Sequence, residues 1–164
     1  MIGKKMQDAL NRQINEELFS SYLYLAMSAD FQTKNLTGAA AWMSLQAEEE
    51  RTHAMKFFHY LIERGGEVEL LPIDKPQKSW KTPLDAFRDA EKHEQHITAC
   101  INSLADLAVE EKDYATQNLL QWFVNEQVEE EASVGEVVAK LEMVSDSRNG
   151  LFMMDRELGK RVAD

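Results

Sequence analysis

Residues 42–61 read WMSLQAEEERTHAMKFFHYL. On a helix turning 100° per residue, Met43, Ala47, Ala54, Phe57 and Leu61 all fall within about 60° of Glu50. A carboxylate therefore stands in the middle of an apolar stripe, with His53 on its margin. Burying one unpaired carboxylate costs several kcal/mol. Something must offset that cost if this stripe faces a core.

The same pattern recurs in three other stretches. Helical periodicity predicts a first helix over about Lys4–Phe31, with a stripe through Leu10, Ile14, Leu18 and Leu25. Glu17 lies towards the edge of that stripe, nearest to Leu10, Ser21, Tyr24 and Ser28. The second helix runs over about Ala39–Arg64 and ends at Gly65-Gly66. A third, over about Pro83–Glu111, brackets Glu94 with Phe87, Ala90, Thr98, Ile101 and Ala105. A fourth, over about Tyr114–Val144, brackets Glu130 with Leu119, Phe123, Val134, Val137 and Leu141, and Gln127 lies about 60° away. One inward Glu, or a lone Glu-x-x-His, is a weak signal. Four buried together would rival the roughly 5–15 kcal/mol net stability of a whole domain. The economical counter-charge is a pair of metal ions.

Pro72, Pro76 and Pro83 fall in one short window, and glycine is scarce elsewhere, as long uninterrupted helices require. Residues 66–82 have no helical period. About 17 extended residues reach at most roughly 55–60 Å, while a 26-residue helix is about 39 Å long. This connection can run the full length of a bundle and leave the second and third helices parallel. Residues 145–150 break the fourth helix, and a short amphipathic helix over about Leu151–Val162 must dock to be stable. The expected architecture is all-α: one domain over residues 1–164, a four-helix bundle with one long crossover plus a short C-terminal helix.

The net charge of −11 argues against nucleic acid and anionic membranes and favours cations as partners. The chain starts without an apolar run, so neither a signal peptide nor a membrane span is expected, and the expected location is the cytoplasm. The single cysteine, Cys100, excludes an internal disulfide framework and any cysteine-based zinc or iron–sulfur site, and reads as a core or near-core residue. His59, His93 and His96 read as surface or boundary residues. Carboxylates with one imidazole and an amide form a hard, oxygen-rich set, whereas structural zinc takes cysteines or several histidines. Two Fe(II) ions bridged by Glu50, and by Glu130, suit that set.

With Glu17, the run Glu48-Glu49-Glu50-Arg51-Thr52-His53, Glu94, and Glu126-Gln127-Val128-Glu129-Glu130-Glu131 in place, the whole chain resembles the ferritins, closely the bacterial non-haem ferritins. Tyr24 and Trp122 match family positions too. The resemblance implies that Glu17, Glu50 and His53 hold a first iron and that Glu50 bridges to a second, bound also by Glu94 and Glu130. Gln127 would sit beside the centre, and Tyr24 near it. A third iron would use Glu49, Glu126, Glu129 and Glu130. The resemblance further implies Fe(II) oxidation by O2 or H2O2 and mineral storage in a homo-24-mer. Gln127-x-x-Glu130 replaces the second Glu-x-x-His of symmetric di-iron proteins, and Thr52 stands where a bacterioferritin would place its haem methionine, so no haem is expected. Two other function classes stay open at this point: a di-iron oxidase or peroxidase acting on a soluble substrate, and a plain helical interaction module. Tyr24 and Trp122 read either as electron donors to partly reduced oxygen or as core aromatics.

Overall fold

Leu36 and Asn35 set the first corner. Asn35 takes a left-handed backbone (φ 57°), which Asn tolerates better than most residues, and the chain reverses into a helical hairpin. In the computed structural model, which describes residues 1–144 and 146–163, the helices are α1 (Lys4–Thr33), α2 (Thr37–Glu63), α3 (Pro83–Glu110), α4 (Tyr114–Val144) and α5 (Arg148–Leu158). α2 ends where Gly65 adopts φ 70°, a conformation nearly free of cost only for glycine. α3 starts on a capping box: Thr82 Oγ1 accepts from the Asp85 amide (3.1 Å) while the Asp85 carboxylate accepts from the Thr82 amide (3.1 Å). Pro83 at the first position needs no hydrogen bond there.

The crossover runs along α1 as its length allows. Asn11 donates to the Glu67 carbonyl and accepts from the Glu69 amide (3.0 and 2.9 Å). One turn on, Asn15 donates to the Pro72 carbonyl (3.0 Å). At the far end, buried Asp30 accepts from the Trp80 amide (3.2 Å) and from Lys34, and the Trp80 indole donates to Asp89 (2.9 Å). The chain is thus carried from the start of α1 to its end before α3 begins, which makes α2 and α3 parallel. Asn and Asp on one face of α1 satisfy an extended backbone that has no sheet to pair with.

Leu25, expected in the core stripe, is 52 % exposed. Tyr24 and Met27 take the inward positions instead, and Leu25, about 100° round from Tyr24, faces the crossover side with Tyr22, Lys75 and Pro76. The C-terminal helix also shifts. It begins at Arg148, three residues before the expected Leu151, because Ser147 caps it by accepting from the Gly150 amide (3.0 Å). Of the expected break, Ser145 lies outside the described residues. α5 docks through Met154 and Leu158, and Asp155 accepts from the Ala39 amide at the start of α2 (2.8 Å). Only glycine fits at position 38, since a Cβ there would lie 1.7 Å from the Asp155 carbonyl oxygen.

The apolar core is in two halves. One holds Tyr24, Met27, Phe31, Met43, Phe87, Val134 and Leu141; the other holds Leu10, Ile14, Phe57, Leu61, Ile97, Ile101, Leu120 and Phe123. On every long helix, the residues between the halves are the polar ones marked in the sequence: Glu17, Glu50 with His53, Glu94, and Gln127 with Glu130.

Candidate metal centre

Each long helix delivers one carboxylate to the layer between the two cores. Glu17, Glu50 and Glu94 are each 1 % exposed and Glu130 is 6 % exposed. Oxygen and nitrogen atoms of Glu17, Glu50 and His53 lie within 4.8 Å of one another, as do those of Glu50, Glu94 and Glu130, and those of His53, Glu126 and Glu130. Glu50, His53 and Glu130 each belong to two of these groups. His53 Nδ1 lies 3.4 Å from Glu50, and its Nε2 lies 3.7 Å from Glu126.

The electrostatics are those of crowded anions. Burial, and then the Glu50 charge, push the Glu94 carboxyl up to about 8 and the Glu130 carboxyl up to about 9. The same two causes hold Glu17 well above the usual carboxylate range. Burial disfavours a charged His53, but its hydrogen bond to Glu50 and the surrounding carboxylates outweigh that and raise it. Burial and the Glu94 charge suppress ionisation of Tyr24, whose phenol donates to Glu94. Glu17 Oε2 is buried with no hydrogen-bond partner. An orphaned carboxylate oxygen inside a carboxylate cluster is chemically suited to ligate a cation.

Amides hold the cluster in place. Gln127 donates to Glu94 Oε2 (3.2 Å) and to Thr98 Oγ1 (3.3 Å). Two further glutamines escaped the reading of the sequence. Gln46, 0 % exposed, donates to both Glu50 Oε1 and Glu130 Oε2 at 2.8 Å. Gln13 donates to Glu17 Oε1, also at 2.8 Å. Both stand four residues before a central Glu, the spacing at which helical side chains meet, and that repeat was the signal to be found. Arg161, beyond α5, donates to Gln46 Oε1 (2.8 Å) and to Glu49, and stacks 4.3 Å over Trp42. It thereby fixes which end of the Gln46 amide faces the carboxylates.

The outer carboxylates are less gathered. Glu126 joins the centre through His53 and Glu130. Glu49 is turned to Arg161, and Glu129 is exposed on α4, in none of these groups. Trp122 is not a core aromatic: it is 37 % exposed, its ring edge-on to His53 at 5.5 Å, with Lys56 at 3.6 Å over its face. His93, half-buried, meets Ser20 Oγ at 2.7 Å and packs edge-on to Tyr24 at 6.1 Å; burial lowers its affinity for a proton.

The chain is 43% identical over 161 residues to a bacterial non-heme ferritin of Bacteroides fragilis, covering 98% of this chain and 100% of that one. It is 40% identical to a bacterial non-heme ferritin of Campylobacter jejuni, covering 99% and 97%. The crystal structure of an open pore ferritin from Archaeoglobus fulgidus superimposes with a TM-score of 0.98 at 46% identity, covering 99% of this chain and 100% of that one. A family model described as a ferritin-like domain matches residues 7–144, a span that takes in every carboxylate of the layer. With a family model matching most of its length and relatives of 40% identity and more along nearly all of it, the chain belongs to the ferritin family.

Proposed function

We propose that the protein is an iron-storage ferroxidase: it binds Fe(II) in the buried carboxylate layer, oxidises it with O2 or H2O2, and keeps the Fe(III) as a hydrated oxide inside a 24-subunit shell. The observation that carries this reading is the four-helix convergence of Glu17, Glu50, Glu94 and Glu130 with His53 on one buried spot. Two Fe(II) ions supply the two electrons that take O2 to H2O2, which is the chemical reason for holding them as a pair.

The chain's own groups prepare the substrate's place. Glu50 serves both positions. Glu17 and His53 complete the first; Glu94 and Glu130 complete the second. In the absence of cations Glu94 and Glu130 hold protons near neutral pH, and incoming Fe(II) displaces them. Gln46, Gln13 and Gln127 orient the carboxylates by donating to the oxygen on one side of each. Tyr24 restrains Glu94 from the opposite side.

A third iron position over Glu49, Glu126, Glu129 and Glu130 belongs to the same proposal. Arg161 has to release Glu49 for it to form. Assembly is supported by large apolar side chains left exposed on this protomer: Tyr22 and Leu25 on α1, Phe152 and Met153 on α5. No described helix is long and apolar enough to cross a membrane.

The test is Fe(II) oxidation in air by the purified protein, followed by absorbance and by iron retained in soluble form. Glu50→Ala is expected to abolish rapid oxidation while leaving the assembly intact, since removing a buried charge need not destabilise. Oxidation by that variant at the parental rate would show that the centre is misassigned. Sizing separates a shell of several hundred kDa from a dimeric oxidase of tens of kDa.

A further inference from the structure

We propose that Glu16, His96 and Cys100 form a second cation site, on the seam between α1 and α3, that takes a borderline-soft divalent ion of the Zn(II) type. This site shares no residue with the carboxylate layer. In the sequence a single cysteine reads as excluding any cysteine-based zinc site; the fold revises that reading, because it gives Cys100 two further donors. His96 precedes Cys100 by one helical turn, and Glu16 reaches across from α1. His96 Nε2 lies 2.9 Å from Glu16 Oε2 and 3.6 Å from Cys100 Sγ.

Those separations can be set against a coordination polyhedron. With Zn–N and Zn–O near 2.0 Å and Zn–S near 2.3 Å, tetrahedral angles place N and S about 3.5 Å apart and N and O about 3.3 Å apart. The observed edges differ from these by only a few tenths of an ångström, within the reach of partly exposed side chains. Three donors occupy one face of the tetrahedron, and the fourth position is left for water. A groove of about 270 Å³, lined by Gln13, Glu16, Cys100 and Ser103 among others, lies beside the thiol and gives an ion access.

The donor types choose the ion. Thiolate with imidazole favours Zn(II) over Fe(II), both by softness and by the general order of divalent affinities. The inner layer offers oxygen donors and one imidazole and no sulfur, so the two places sort cations differently. Burial, and then Glu16 and Glu17, push the free Cys100 thiol up to about 11, so without an ion the sulfur keeps its proton. Binding exchanges that S–H bond for an S–metal bond and releases one proton, with no change in oxidation state.

Cobalt(II) is the probe, added anaerobically to the assembled protein. A thiolate-to-cobalt charge-transfer band reports Cys100 alone, because oxygen donors in the layer give none. The expected result is a band whose plateau intensity corresponds to one thiolate-bound cobalt per chain and which is bleached by Zn(II). It should vanish in Cys100→Ser and need at least ~10-fold more cobalt in His96→Ala and in Glu16→Ala, each of which removes a donor. A parent without the band overturns the site. A band unmoved by both His96→Ala and Glu16→Ala also overturns it, since the thiol would then bind without them. Iron oxidation is measured alongside. Cys100→Ser should retain the parental rate, so failure of the seam site and failure of the ferroxidase reading are read from different signals.

Discussion

Metal-free protein should lose stability as pH rises from 5 to 9, the reverse of what paired surface carboxylates do. The sign follows from proton counting. Glu94 is raised from 4.5 to about 8 and Glu130 from 4.5 to about 9. Above the unfolded value, the unfolded chain has released protons that the folded chain still holds, so stability falls with pH until the folded values are passed. His53 acts in the same direction: its raised value contributes stability below the unfolded 6.5 that is lost as pH climbs through the folded value. At about 1.36 kcal/mol per unit, one such carboxyl is worth roughly 5 kcal/mol at most. Glu94 and Glu130 share the Glu50 repulsion, so their sum overcounts, and roughly 5 kcal/mol serves for the pair. For a chain of this length that corresponds to a fall in melting temperature on the order of 10–20 °C. The assay is thermal unfolding across this pH range in chelator and again with saturating Zn(II). Cation should flatten or reverse the slope, because metal affinity grows as ligand protons are lost. General repulsion in a chain of net charge −11 would also lower stability at high pH, and two variants of equal charge change separate the effects. Glu50→Gln should make the slope shallower; Glu129→Gln, on the exposed face of α4, should not. A flat or rising melting temperature in chelator, or identical slopes in the two variants, would refute the account of the layer.

Glu129→Ala should leave the initial phase of iron oxidation intact and change the ratio of iron oxidised to oxygen consumed; an unchanged ratio removes Glu129 from the third position. Arg161→Gln should remove the guanidinium's hydrogen bonds to Glu49 and to the Gln46 amide, and the same ratio measurement should then move with little change in melting temperature, whereas a pure packing role would lower the melting temperature and leave the ratio alone. Phe57 stacks on Phe123 with centroids 3.9 Å apart and is fully buried, so Phe57→Ala should cost about 3–5 kcal/mol, measured as a lowered unfolding midpoint in zinc-loaded protein.

What could be read along the chain was whatever a 3.6-residue period encodes. Four stripes, and a glutamate seated in each, follow from rotation about single helices, and the structure brings those carboxylates together because packing the stripes leaves them nowhere else to go. The crossover was legible from the reach of its unstructured residues. The α5 start was displaced because Ser147 caps the helix ahead of its first apolar residue, and Leu25 failed because an apolar residue at the stripe's edge turns outward where Tyr24 offers a larger buried ring. The supports of the centre were less visible for a different reason. Gln46 and Gln13 lie on the stripes, yet a glutamine there reads as one polar interruption until the carboxylate it serves is known. Arg161 reaches Gln46 from 115 positions along the chain, and no periodicity carries that information. Cys100, His96 and Glu16 join two helices separated by the whole of α2 and the crossover. The residues that create charge in the core, and the glutamines one turn before two of them, were therefore local facts, while Arg161 behind Gln46 and Glu16 beside the His96–Cys100 pair join them only once helices are laid side by side.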